Sequence, residues 1–149
     1  MSANELHPTG GYEHVTIAEP GRIAYLAGQC PVDAEEKVVG AGDLDRQIDQ
    51  VARNALAALA SVGAKPEDVV RSVVYVVSAD SGTVGGAWHR FAEHAELGPA
   101  FKAASTVVGV TALGYPGQLV ELDLTARLPD ANLETHGRGN YGETNTDGR

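Results

Sequence analysis

At 149 residues the chain has the length of one ordinary domain, and an apolar fraction of 43% is enough for a buried core and too high for a disordered protein. Lysine and arginine number 11 against 20 aspartates and glutamates, a formal charge of -9 that repels phosphate backbones and anionic lipid, so neither nucleic acid nor membrane is an expected partner. One cysteine excludes an internal disulfide, there is no apolar run of ~18 residues for a transmembrane span, and the start MSANELHPTGGYEH lacks the apolar stretch of a secretory signal. The expectation is a soluble, acidic, cytoplasmic single domain.

The pattern predicts a flexible start over residues 1–9, with Pro8 and Gly10-Gly11 as breakers, a folded unit over 10–128, and a disordered tail over 129–149. Residues 13–18 and 22–29 are short apolar-rich runs around Glu19-Pro20-Gly21-Arg22, which reads as a β-hairpin. Lys37-Val38-Val39 is a candidate for one further short strand. Asp43 then offers an N-cap, Leu44, Ile48, Val51, Ala52, Ala55, Leu56, Leu59 and Val62 recur at helical spacing, and Gly63 supplies a stop. A strand over 69–77 follows. A second helix is expected over roughly 83–97, with Val84, Trp88, Phe91, Ala92 and Ala95 on one face and Gly98-Pro99 at its end. Strands over 105–111 and 119–128, joined through Gly114-Tyr115-Pro116-Gly117, complete an α+β order of the form ββ(β)αβαββ, with a mixed sheet packed on two α-helices.

The 69–77 strand is apolar on both faces apart from Arg71 and Ser72, yet two helices can cover only one face of a sheet. In the last strand Val120, Leu122, Leu124 and Ala126 point one way, and Glu121, Asp123, Thr125 and Arg127 the other. A helix-free face that mixes apolar and charged residues suits a subunit interface with a wet pocket. An obligate oligomer is expected.

Several stretches, in order, resemble the RidA/YjgF family of reactive-intermediate deaminases. They are Gly11-Tyr12, Ala27-Gly28-Gln29-Cys30-Pro31-Val32-Asp33, the helix end Ala60-Ser61-Val62-Gly63-Ala64, Glu67-Asp68-Val69-Val70, Trp88-His89-Arg90-Phe91, and Ser105-Thr106-Val107-Val108-Gly109-Val110 with Leu119-Val120-Glu121-Leu122. The resemblance covers roughly residues 10–128. It implies a chorismate-mutase-like (YjgF-like) fold and a homotrimer with clefts between subunits. It also implies hydrolysis of small imine or enamine metabolites to carbonyl compounds and ammonia, with no cofactor and no metal.

Carried onto this sequence, the resemblance makes Glu121 the catalytic carboxylate that activates water, against the plainer reading of an interfacial acid on a polar strand face. It makes Tyr12 a pocket-mouth phenol and Gly28 a residue whose N–H faces the ligand; ordinary packing and a strand-end turn are the alternatives. The family's arginine, which grips a substrate carboxylate, aligns with Ser105, and Phe101-Lys102-Ala103-Ala104 holds no arginine, Lys102 being a poor substitute as a point charge three residues away. That departure points away from general 2-aminoacrylate clearance and toward neutral or cationic substrates. A non-catalytic ligand-binding trimer is the alternative, and ribonuclease activity is disfavoured by the charge. His14 joins the substrate-binding candidates if it shares the cleft with Glu121; otherwise it is a surface histidine. Cys30, with no base near it in sequence, reads as a small packing residue. The His89/Glu93 and Arg90/His94 pairs at i,i+4 read as surface pairs rather than a metal site.

Overall fold

The computed structural model describes residues 5–130, so most of the expected tail and the first four residues lie outside it. The long helix α1 (Leu44–Ser61) begins where Asp43 accepts a hydrogen bond from the Arg46 N–H at 3.0 Å. Its buried stripe is Ile48, Val51, Ala52, Ala55 and Leu59. It ends at Gly63, whose φ of 73° is the left-handed geometry that glycine adopts without strain. The turn returns the Ala64 N–H to the Leu59 carbonyl at 3.0 Å.

Four strands form one mixed sheet: β1 (Ile23–Tyr25), β2 (Val69–Val77), β3 (Ala104–Val110) and β4 (Val120–Arg127), in the order β1-β4-β2-β3. β2 and β3 are parallel and connected through α2 (Ser81–Ala92), the crossover that parallel neighbours require. β4 runs antiparallel to both β2 and β1. Val74, Val76, Val120, Leu122 and Leu124 are fully buried beneath the helices, where the stacked rings of Phe91 and Phe101, 5.4 Å apart, fill the layer between sheet and α2. Each such leucine contributes about 1.5–3 kcal/mol by leaving water.

Two expectations are corrected. Residues 13–18 form no strand, and β1 pairs with β4 instead of with them. The segment is held at the other end of the sheet: the Glu13 N–H donates to the Lys102 carbonyl at 2.9 Å, and Thr16 Oγ1 accepts from the Ala104 N–H at 2.8 Å. The Pro-Gly turn is tethered separately, by Arg127 donating to the Pro20 carbonyl at 2.8 Å. Second, α2 starts at Ser81, capped by Asp80, and stops at Ala92 rather than near 97. The His94 ring accepts from the N–H groups of Glu96 and Leu97 at 3.2 and 3.1 Å, turning the chain into a 3-10 segment over Gly98–Lys102. The Lys37–Val39 stretch contributes only a single bridge, Val32 to Val38.

Candidate functional site

Glu121 follows from alternation along β4. Its neighbours Val120 and Leu122 point into the helix-covered core, so its own side chain emerges on the opposite, helix-free face, beside Tyr75 of β2. That face also carries Asp123, Val73, Thr106 and Val108. Both helices pack on the other side, and Tyr25, on the open side, is 81% exposed.

The Glu121 carboxylate is fixed through one oxygen. The Cys30 thiol donates to Oε1 at 3.0 Å and the Gln118 amide donates to the same atom at 3.1 Å. Oε2 leans over Gly28, where a Cβ would stand only 2.5 Å away. The Gly28 N–H meets no acceptor among the described residues, and Gly28 is exposed. Cys30 is therefore a polar partner of the carboxylate, not a packing residue. Burial, and then the hydrogen bond to Glu121, push its thiol up from the ordinary 9.0 to about 11, so it stays S–H through the neutral range. Beyond it, the Tyr115 hydroxyl donates to Glu36 at 2.8 Å, which raises the phenol above its usual value.

The supports of this cluster trace back to α1. Fully buried Gln47 accepts from the Leu119 N–H at 2.7 Å and donates to the Gly117 carbonyl at 2.9 Å, holding the loop before β4. Asn54 donates to the carbonyls of Cys30 and Val32 at 2.9 and 2.8 Å.

Ser105 lies elsewhere. It pairs in register with Ser72, which pairs with buried Leu124, so its side chain is on the helix-covered face. Its Oγ is 2.6 Å from Ser72 Oγ and accepts from the Trp88 indole N–H at 2.7 Å. A hydroxyl engaged twice has little capacity left for a ligand. Above it Tyr12 meets Trp88 edge-on at 5.5 Å, and a cavity of about 360 Å³ is lined by Thr9, Tyr12, Gly85, Trp88, His89, Ser105 and Val107. Neither lysine nor arginine is among them. His14 sits with this group, 6.2 Å from Tyr12, and donates from Nε2 to the His7 carbonyl at 2.8 Å. None of its contacts among the described residues is with Glu121.

Thus the anticipated residues form two clusters: Glu121 with Gly28 on one face of the sheet, and Ser105, Tyr12 and His14 on the other. Gln118, Cys30 and Trp88 join them as residues that the sequence did not single out for the site. No group of three metal-ligating side chains occurs among the described residues, and Arg90 pairs with Asp45 and Asp49 at 3.6 and 3.1 Å.

A family model described as Endoribonuclease L-PSP matches residues 2–128. The chain belongs to this family. A RutC family protein of Pyrococcus abyssi is 35% identical over 69 residues, 46% of this chain and 53% of that protein. A second, from Pyrococcus horikoshii, is 33% identical over 76 residues, 51% and 59% of the two chains, so the chain spans little more than half the length of the curated relatives it matches. Among solved structures, the Rid family protein YyfB of Yersinia pestis, described as of unknown function, superposes with a TM-score of 0.75 at 30% identity, over 86% of this chain and 96% of that one. Rv2704 of Mycobacterium tuberculosis, of the YjgF/YER057c/UK114 family, gives 0.54 at 28%, over 74% and 82%. The RidA/YjgF assignment and its α+β fold both hold.

Proposed function

We propose that this Rid family protein is a cofactor-free deaminase that hydrolyses small imine or enamine metabolites in a cleft between two copies of the chain. The observation that carries this reading is the Glu121 carboxylate: one oxygen is anchored, and among the described residues the other takes no donor and stands beside a Gly28 N–H that meets no acceptor. In the reaction, water adds to the carbon of the C=N bond while Glu121 takes its proton. Glu121 passes that proton to nitrogen to give the carbinolamine; the carbinolamine hydroxyl then yields its proton to Glu121, which delivers it to nitrogen as the C–N bond breaks, and a carbonyl compound and ammonia leave. The Gly28 N–H orients the substrate at the reacting end.

The Tyr12–Trp88–Ser105 pocket of a neighbouring copy closes the cleft. Family resemblance makes the assembly a homotrimer, and the uncovered face with Tyr25, Tyr75 and Val108 supplies apolar surface for it. With neither lysine nor arginine lining the aromatic pocket, substrates bearing a carboxylate lose the bidentate guanidinium contact, and neutral or cationic imines are preferred.

The test is ammonia release from a panel of enzymatically generated imines, beside light scattering for assembly size. Glu121→Gln is expected to abolish turnover and leave a trimer. Full activity in that variant, or a monomeric active protein, overturns the proposal. The missing arginine favours one rival, a ligand-binding trimer without chemistry, which thermal stabilisation by a panel compound without ammonia release would select.

A further inference from the structure

The two oxygens of Glu121 are unequal. Oε1 takes both donors, from Cys30 and Gln118, whereas Oε2 takes none among the described residues. The donors arrive on separate backbone segments, each tied to α1. The Cys30 segment hangs on Asn54, and the Gln118 loop hangs on Gln47. Gln118 is also locked by its own loop: it accepts from the Tyr115 N–H at 3.1 Å, donates to the Val120 carbonyl at 3.1 Å and is 3% exposed.

A glutamate free to turn about its side-chain torsions presents either oxygen in several orientations, and selecting one costs entropy at the moment of reaction. We infer that Cys30 and Gln118 are positioning residues which pin Oε1 and leave Oε2 as the single proton-accepting oxygen of the site. This deepens the reading of Glu121 as the base and rests on it. The thiol suits the task because it remains a donor across the neutral range, its proton held up to about 11 by burial and by the carboxylate it serves.

Cys30 is the only cysteine of the chain and therefore reports on the contact directly. The first measurement is its alkylation by iodoacetamide across the alkaline range, in native wild type and in Glu121→Gln. With the thiol moved from 9.0 to about 11, wild type should hold about 100-fold less thiolate near pH 8 than an unperturbed cysteine. Removing the carboxylate charge should raise the alkylation rate there by about tenfold. Superimposable profiles for the two proteins overturn the inference. The second measurement is turnover. Cys30→Val should lower kcat by about tenfold with KM nearly unchanged, and Cys30→Ser, which keeps a donor, should restore most of it. Unchanged kcat in Cys30→Val also overturns the inference. If wild type releases no ammonia from any panel member, the imine reading fails, and alkylation alone decides whether Cys30 holds Glu121.

Discussion

Gly28→Ala is the sharpest probe of the packing around Glu121. The backbone at 28 lies outside the left-handed region, so alanine fits the chain itself, and the whole effect comes from the new methyl. Its carbon would stand 2.5 Å from Oε2 and 2.9 Å from Cδ of Glu121. Ordinary contact requires about 3.5 Å, so the carboxylate must retreat by about 1 Å. A free side-chain end would do so at little cost. This one is anchored at Oε1 by bonds of 3.0 and 3.1 Å, and a retreat of that size breaks the amide bond and stretches the thiol bond to the limit of its range.

Losing the amide bond to a carboxylate and weakening the thiol bond costs about 2–3 kcal/mol together. The reduced freedom of the unfolded chain returns about 0.4–1 kcal/mol. The net loss is about 1–2 kcal/mol, or about 4–8 °C in Tm for a domain of this size. Urea unfolding at fixed protein concentration measures it as a shift in midpoint at constant slope. In a Glu121→Ala background the obstruction is gone, and the same glycine substitution should cost nothing. Equal effects of Gly28→Ala in the two backgrounds would refute the reasoning, because the coupling would then be zero.

Each of the two clusters gives a further outcome. Ser105→Ala leaves the Trp88 N–H and the buried Ser72 hydroxyl without their partner, and should destabilise by about 2 kcal/mol in urea unfolding followed by the fluorescence of the only tryptophan. The pH dependence of stability has a definite sign at Cys30. Below 9.0 the thiol is protonated in both folded and unfolded chains; from there to about 11 only the unfolded chain gives up its proton, so stability falls across that window. The Tm advantage of wild type over Cys30→Ala should therefore shrink between pH 9 and 11, and a constant difference would contradict the shift.

The long helix and the three long strands were legible because their signals are local: a 3.6-residue stripe with Asp43 and Gly63 at its ends, and two-residue alternation in β4. The hairpin was not. Val15 and Ile17 alternate as a strand would, but the partner of β1 is 100 residues away, and nothing in the Pro-Gly turn says so. The end of α2 was misplaced because the stop is the His94 ring rather than the glycine after it. The role of Cys30 is hidden for a related reason: its acceptor is 91 positions on in the chain, beyond any window in which spacing carries information.

The same limit governs the site. Alternation places Glu121 on the open face from β4 alone, but which face holds Ser105 depends on the register Ser105–Ser72–Leu124 through three strands, a property of the assembled sheet. That register has a consequence for the reading of function. Ser105 and Glu121 of one chain look out on opposite faces of the sheet, with β2 and its hydrogen bonds between them, so a small molecule bound on one face does not reach the other. A single copy offers either an aromatic pocket without lysine or arginine or a carboxylate beside an N–H that meets no acceptor among the described residues. Chemistry that needs both groups requires a second molecule, and loss of assembly should cost activity even where each subunit stays folded. Val108→Asp, on the open face, separates the two: retained fold with lost assembly and lost turnover is the expected result, and an active monomer would leave the pocket around Trp88 with no part in catalysis.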